Sequence, residues 1–390
     1  MKIEAELFKS LGMSHIAPEN DIYLKKSGGM NDEDEDEDDD DEEELRDTDY
    51  QLVSCHNEDE GVSTLQVHIY EPEDQNLFVH HDIMLQNFAL CVEWLSYLPG
   101  SSTTAPAQGK NLAAVGTFDP IIEIWDLDVI DALQPVGSLG SVATGDDDDA
   151  KKKKKKKSFV KPKSVNDKTH TAPVLNLSWH PLHCNILASS SEDKTIKIWD
   201  LQTCEAKFSL NTLHTTPVTG ISWHPREANV LLSGGFDKKC LVIDSNSKSK
   251  MEYSVPHDVE SLGWNPHALN TFTVSLSSGI MMSYDIRNQK TPVHKWQAHA
   301  PKMAVSDFSY SEVAPGLLVT CSHDGTVKFW NQNTADAASQ PQELESANIG
   351  FGQCYSVSFY ENFLAVGAQK GKLQVLNCLN NQKLRPLFAK

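Results

Sequence analysis

The chain has 390 residues and a formal net charge of −21. Much of that charge sits in runs, Asp32–Glu44 and Asp146–Asp149 against Lys151–Lys157; the remainder is only mildly acidic, which argues against a general phosphate-binding surface. No stretch of 18 apolar residues and no secretory leader occurs, and the eight cysteines form no C-x-x-C pair; the reading is a soluble protein of a reducing compartment with no membrane span.

Residues 1–49 read as a largely disordered acidic segment. Met1–Gly12 carries Ile3, Leu7, Phe8 and Leu11 at helical spacing. Asp32–Glu44 repels itself and stays solvated. It serves either as a solubilising loop, the preferred reading, or as a nucleic-acid mimic that attracts basic proteins.

From residue 50 to 390 the chain alternates short strand patterns with turns. Gln51–Cys55, Thr64–Tyr70 and Leu77–His80 form a first unit, with no obvious inner strand before Tyr50. Val92–Tyr97, Leu112–Gly116 and Ile121–Asp126 form a second, with Pro135–Leu139 as its outer strand. Residues 141–168 interrupt the pattern with an acidic and polylysine insertion. Lys151, Lys152, Lys153, Lys154, Lys155, Lys156 and Lys157 form an accessible basic run suited to a nuclear import receptor.

The stretch from His170 to Leu201 is the clearest unit. Val174–Trp179, Ile186–Ser190 and Thr195–Trp199 read as strands, with turn chemistry at Ser191–Lys194. Its polar residues suit a buried structural relay: the Trp199 indole to Ser189, Ser189 to His170, and Asp193 to the other imidazole nitrogen. The same set recurs as His299, Thr320, Asp324 and Trp330, and without the tryptophan as His214, Ser233 and Asp237. His257 opens a further unit. Trp179, Trp223, Trp264 and Phe308 form one column, spaced 44, 41 and 44 residues, and Trp199, Ile243, Tyr284 and Trp330 a second. Three-strand modules that cannot bury their own faces, repeated at about 40–45 residues, define an all-β WD-repeat propeller. Seven blades of mostly four antiparallel strands follow, at 50–87, 88–145, 168–211, 212–255, 256–298, 299–345 and 350–390. The first is expected to be incomplete, and Leu384–Phe388 is expected as a fourth strand of the last.

Catalytic patterns are sparse. Gly367–Lys372 is one residue short of a phosphate loop. His80, His81 and Asp82 are adjacent on a strand, which sends neighbouring side chains to opposite faces. The His, Ser/Thr and Asp sets resemble a hydrolase triad only in composition. No enzyme activity, cofactor, metal or small-molecule substrate is expected. The candidates are docking residues in the turns: Phe118, Phe236, Lys194, Lys238, Lys239 and His323. Asp285 and Arg287 resemble the Trp-Asp-x-Arg box by which WD-repeat substrate receptors meet the adaptor of cullin-RING ubiquitin ligases, with Tyr284 in place of the tryptophan. An ordinary strand-end ion pair is the preferred reading.

The order of VHIYEPEDQNLFVHHDIML, CVEW, VGTFDPIIEIWDLDVIDALQPV, the lysine run, LNLSWHP and IKIWD resembles the periodic tryptophan protein 1 family. The likeness covers roughly residues 50–390. It implies a nuclear, nucleolar scaffold in ribosome biogenesis, acting in rRNA processing and large-subunit assembly, with pre-ribosomal proteins or ribonucleoprotein as partners. It also implies links to ribosomal-DNA chromatin and histone H4 tails. Relatives begin with a longer extension carrying a V-x-W strand, which agrees with the missing inner strand; a truncated chain, a short isoform and a divergent form all remain open.

Overall fold

A computed structural model describes residues 48–58, 61–101, 110–130, 132–140, 168–245, 249–288, 291–333 and 340–388. The acidic run, the lysine run and Met1–Gly12 lie outside them. Seven antiparallel sheets follow one another along the chain. The first holds β1 (Tyr50–Asn57), β2 (Ser63–Glu71) and β3 (Asn76–Leu85), and the second β4 (Ala89–Leu95), β5 (Leu112–Thr117), β6 (Ile122–Asp126) and β7 (Gly137–Leu139). The third holds β8 (Val174–Trp179), β9 (Ile186–Ser191), β10 (Ile196–Asp200) and β11 (Glu205–Leu210). In the fourth are β12 (Val218–Trp223), β13 (Val230–Gly235), β14 (Lys239–Asp244) and β15 (Ser249–Ser254). The fifth comprises β16 (Val259–Trp264), β17 (Thr271–Leu276), β18 (Ile280–Asp285) and β19 (His294–Gln297), and the sixth β20 (Val305–Tyr310), β21 (Leu317–Ser322), β22 (Thr326–Asn331) and β23 (Gln342–Asn348). The seventh has β24 (Cys354–Tyr360), β25 (Phe363–Ala368) and β26 (Lys372–Asn377).

The innermost strands β4, β8, β12, β16, β20 and β24 stand side by side around a central channel. Each carries an irregularity after its first residue, as between Val174 and Asn176 or Val259 and Ser261. A bulge adds one residue to a period-two strand. The apolar positions therefore fall at the first, fourth and sixth residues: Val174, Leu177 and the partly buried Trp179, or the buried Val259, Leu262 and Trp264.

This register corrects one column. Val305 pairs with Ser322 and Tyr310 with Leu318, as Val174 pairs with Ser191 and Trp179 with Leu187. Tyr310, not Phe308, is thus the counterpart of Trp179. The cause is a longer entry from His299 to Val305 than from His170 to Val174. Two other expectations also change. Arg385–Phe388 is a short helix, α1, so Leu384–Phe388 adds no strand to the last sheet. A bulge between Val67 and His68 skips His80, so His80 and His81 come together, with Nδ1 atoms 2.9 Å apart.

The core lies between sheets rather than within them. Val174, Leu177 and Leu187 pack with Leu95, Leu112 and Ile124 of the preceding sheet. Ile196 and Ile198 pack with Val218 and Ile221 of the next. Each module buries its faces only against neighbours, so the ring is the stable unit. Closure between the last and first sheets is apolar: the Phe363 ring lies 5.0 Å from Tyr50 and 5.6 Å from Tyr70, with Leu52 and Ala365 in the same cluster.

Candidate functional site

Two polar systems hold the propeller's two faces. On the face where second strands end, Trp199 Nε1 donates to Ser189 Oγ at 2.7 Å, and that hydroxyl lies 2.7 Å from His170 Nε2. His170 Nδ1 faces Asp193 Oδ2 at 3.0 Å. In the sixth sheet Trp330 Nε1 donates to Thr320 Oγ1 at 3.0 Å, His299 Nε2 is 2.7 Å from the same oxygen, and His299 Nδ1 is 3.2 Å from Asp324. In the fourth, His214 joins Ser233 at 2.9 Å and Asp237 at 3.1 Å; Ile243 leaves that hydroxyl without an indole donor.

Two members were missed in the sequence. Thr195 and Thr326 each donate a hydroxyl to their aspartate at 2.6 Å. The Asp-x-Thr spacing in both turns was the available signal. In the fourth sheet Lys239 stands at that position instead. In the fifth sheet His257 is exposed and joins no relay; Thr273, Ser283 and Tyr310 form a hydroxyl cluster in the interior, at 2.6–2.7 Å.

Burial pushes the imidazoles of His170, His214 and His299 below their ordinary pKa, against the pull of the aspartates. Burial also opposes the charge of Asp193 and Asp324, but hydrogen bonds from His and Thr outweigh it and lower both. The neutral imidazole then donates from Nδ1 to a carboxylate and accepts at Nε2, so each member is satisfied. Ser189, Ser233 and Thr320 are fully buried, which shields the hydroxyls from any substrate.

The opposite face carries a latch that sequence reading missed. His180 Nε2 lies 2.9 Å from Ala228 O, His224 Nε2 2.9 Å from Leu269 O, and His267 Nε2 2.9 Å from Ser311 O. Each imidazole bridges to the connection after the next innermost strand. His180 also packs at a tilt against Trp223, and His224 edge-to-face against Trp264, with centroids 4.7 and 4.6 Å apart. The recurring Trp-His-Pro at 179–181 and 223–225 was its sequence sign.

The relay face also presents apolar side chains. One backbone bond repeats around the ring: the N–H after each second strand reaches the carbonyl before the innermost strand, as in Phe118 to Phe88, Glu192 to Pro173, Phe236 to Pro217 and His323 to Ala304. Phe118 and Phe236 therefore occupy equivalent places, 61% and 42% exposed. Leu90 and Tyr355, 42% and 47% exposed, rim a channel-mouth cavity of about 440 Å³ on the same face. Lys194 and Lys238 are exposed with φ of 70° and 60°. His323 leans on Tyr355, with ring centroids 5.6 Å apart. Lys239 is engaged instead: its ammonium meets Glu252 at 2.6 Å.

The other channel mouth, about 740 Å³, is lined by Trp179, Trp223, Trp264 and Tyr310 with Glu93, Glu312 and Glu361. Asp285 and Arg287 form a paired contact, Nη2 to Oδ2 at 2.6 Å and Nε to Oδ1 at 2.9 Å. Among the described residues no group of three or more His, Cys, Asp or Glu side chains is placed to hold a metal ion. No helix among them is long and apolar enough to cross a membrane.

Seven sheets in a ring, with the His–Ser/Thr–Asp relay recurring in three of them, define a WD-repeat β-propeller. The WD domain, G-beta repeat description matches residues 162–200, 204–244 and 290–331. The chain is similar to proteins of the periodic tryptophan protein 1 family. It is 29% identical to the Drosophila melanogaster periodic tryptophan protein 1 homolog, over 88% of this chain and 71% of that protein. It is 28% identical to periodic tryptophan protein 1 of Saccharomyces cerevisiae, over 81% and 56%. An uncharacterised WD repeat-containing protein of Schizosaccharomyces pombe is 41% identical over 87% of this chain and 63% of its own length. The chain thus spans from just over half to about seven-tenths of these relatives. A chain in the crystal structure of a mitotic checkpoint complex superposes with a TM-score of 0.58 at 14% identity, covering 83% of this chain and 86% of that one, which shows the shared fold alone.

Proposed function

We propose that this protein is a non-enzymatic docking scaffold in the nucleolus, acting in ribosome biogenesis through pre-ribosomal proteins or ribonucleoprotein. The observation that carries the docking role is the set of exposed apolar side chains on one rigid face: Phe118, Phe236, Leu90 and Tyr355. Solvated aromatic side chains on an immobile frame favour macromolecular contact, since burying them against a partner removes apolar area from water with little ordering cost. The likeness to periodic tryptophan protein 1 supports the ribosomal assignment. Lys151–Lys157 would direct nuclear import, an assignment that rests on composition alone. The tagged protein should cosediment with pre-ribosomal particles on sucrose gradients, and RNase should release it. Recovery only in nucleosome-sized fractions would count against this reading. Replacing Lys151–Lys157 with Ser should reduce nuclear retention; unchanged retention would remove the run as a necessary signal.

A second reading is a reader of histone tails at ribosomal DNA. The aromatic and acidic channel mouth favours it, because Glu93, Glu312 and Glu361 beside tryptophan rings suit a cationic peptide. Binding of basic tail peptides that is lost in Glu312→Gln/Glu361→Gln would support it. The ubiquitin-ligase receptor role is the weakest of the three, since Arg287 is already satisfied by Asp285.

A further inference from the structure

The relay-face mouth of the channel is ringed by one kind of position. The irregularity in each innermost strand leaves its second residue out of the pairing register: Leu90, Leu175, Thr219, Glu260, Ser306 and Tyr355. All six line the cavity of about 440 Å³. A bulge re-aims the side chain it carries, and here it turns one residue of each strand to the mouth.

Two of these side chains are used within the ring. Thr219 Oγ1 donates to Val259 O at 2.7 Å and Ser306 Oγ to Cys354 O at 2.6 Å, in each case the first residue of the following innermost strand. Glu260 cannot do the same, because a carboxylate has no proton to give a carbonyl. Among the described residues no hydrogen bond or ion pair engages its side chain. It is only partly exposed, and burial, with the charge of Asp258 added, raises its carboxyl above the ordinary range. The other acid of the cavity is engaged: Asp307 accepts from Ser261 Oγ at 2.9 Å and from Val357 N at 3.1 Å. Removing a carboxylate from water without a partner is unfavourable, and an incoming cation reverses that.

Apolar and aromatic surface flanks this charge. Leu90 and Tyr355 are exposed at the rim, and Leu175 is partly so. The Tyr355 ring is held in place: its hydroxyl donates to Gln353 Oε1 at 3.1 Å, and His323 meets it edge-on. Lys372 and His56 also line the cavity. With His56 uncharged, Glu260 and Asp307 against Lys372 leave the lining net acidic, and the chain as a whole is strongly negative.

We propose that this mouth receives an arginine side chain from an extended segment of a partner protein, its guanidinium paired with Glu260 and lying against Tyr355. The apolar neighbours of that arginine rest on Leu90 and Leu175. A guanidinium suits the place because it is weakly hydrated and planar, and meets a carboxylate and an aromatic face together. The proposal rests on the docking role of this face and names the chemistry it selects.

Purified full-length chain and a short end-capped peptide test this, with no ribosomal particle present, so the result is separate from that of cosedimentation. The probe is fluorescein-labelled Gly-Leu-Arg-Leu-Gly, against the same peptide with citrulline, which keeps the shape and loses the charge. In fluorescence anisotropy the arginine peptide should bind at least about tenfold more tightly than the citrulline one. Glu260→Gln should remove that difference without lowering the melting temperature, and Tyr355→Leu should weaken the arginine peptide severalfold. Glu312→Gln/Glu361→Gln, at the opposite mouth, should leave it unchanged. Absence of binding up to millimolar peptide would overturn the proposal. So would an arginine preference that survives Glu260→Gln, or one lost only in Glu312→Gln/Glu361→Gln.

Discussion

Ser189 Oγ sits 2.7 Å from both Trp199 Nε1 and His170 Nε2, so one buried hydroxyl joins the Trp-Asp strand to the loop that enters the sheet. Ser189→Ala would orphan a donor and an acceptor at once, and should cost about 2–3 kcal/mol. Ser189→Thr should retain most of the stability, since Thr320 does the same task in the sixth sheet. Urea midpoints of the two variants check this; equal losses would contradict the relay.

Stability should fall with acid in two stages. His170, His214 and His299 have folded pKa values below the ordinary 6.5, chiefly through burial. Below that pH the unfolded chain binds more protons than the folded one, so stability is full above it and declines toward the folded values. Asp193 and Asp324 lie below the ordinary 3.8, so their contribution holds above that pH and is lost beneath it. Thermal melts across this range should show a midpoint that is flat near neutrality and drops from about pH 6.5 downward. A midpoint that rises on acidification would contradict it.

Gly234 is closed to any larger residue by the next sheet. A Cβ there would stand 2.7 Å from Leu262 Cδ2 and 2.9 Å from Val259 Cγ1. Gly234→Ala should destabilise by about 1–3 kcal/mol through overpacking. A melt showing no loss would mean that the fourth and fifth sheets can separate slightly at no cost.

Phe118→Ala/Phe236→Ala should leave the melting temperature nearly unchanged, because both rings are solvated. The same variant should lose cosedimentation with pre-ribosomal particles. Unaltered sedimentation would move the docking surface elsewhere.

Much of the ring was legible because its chemistry is local. Period-two alternation, Asp at a constant offset before the second column, and Ser or Thr between them recur with little change, so Trp199, Trp330 and their partners could be grouped before any coordinates. Where the repeat was irregular the reading slipped. The longer entry before Val305 moved the aromatic column from Tyr310 to Phe308, since both are aromatic and only register separates them. The His180, His224 and His267 latches were invisible because each imidazole bonds a carbonyl in the following sheet, which no spacing within one repeat encodes.

The sequence by itself determined that this chain folds as repeated sheet modules and which His, Ser or Thr, and Asp residues tie the third, fourth and sixth together, because those contacts span few residues and recur. Only the tertiary structure decided how the ring closes, which turns face solvent together, and that β1 pairs, among the described residues, with β2 alone. Those depend on contacts between distant segments, such as Tyr50 with Phe363, whose geometry follows from the angle at which seven twisted sheets meet.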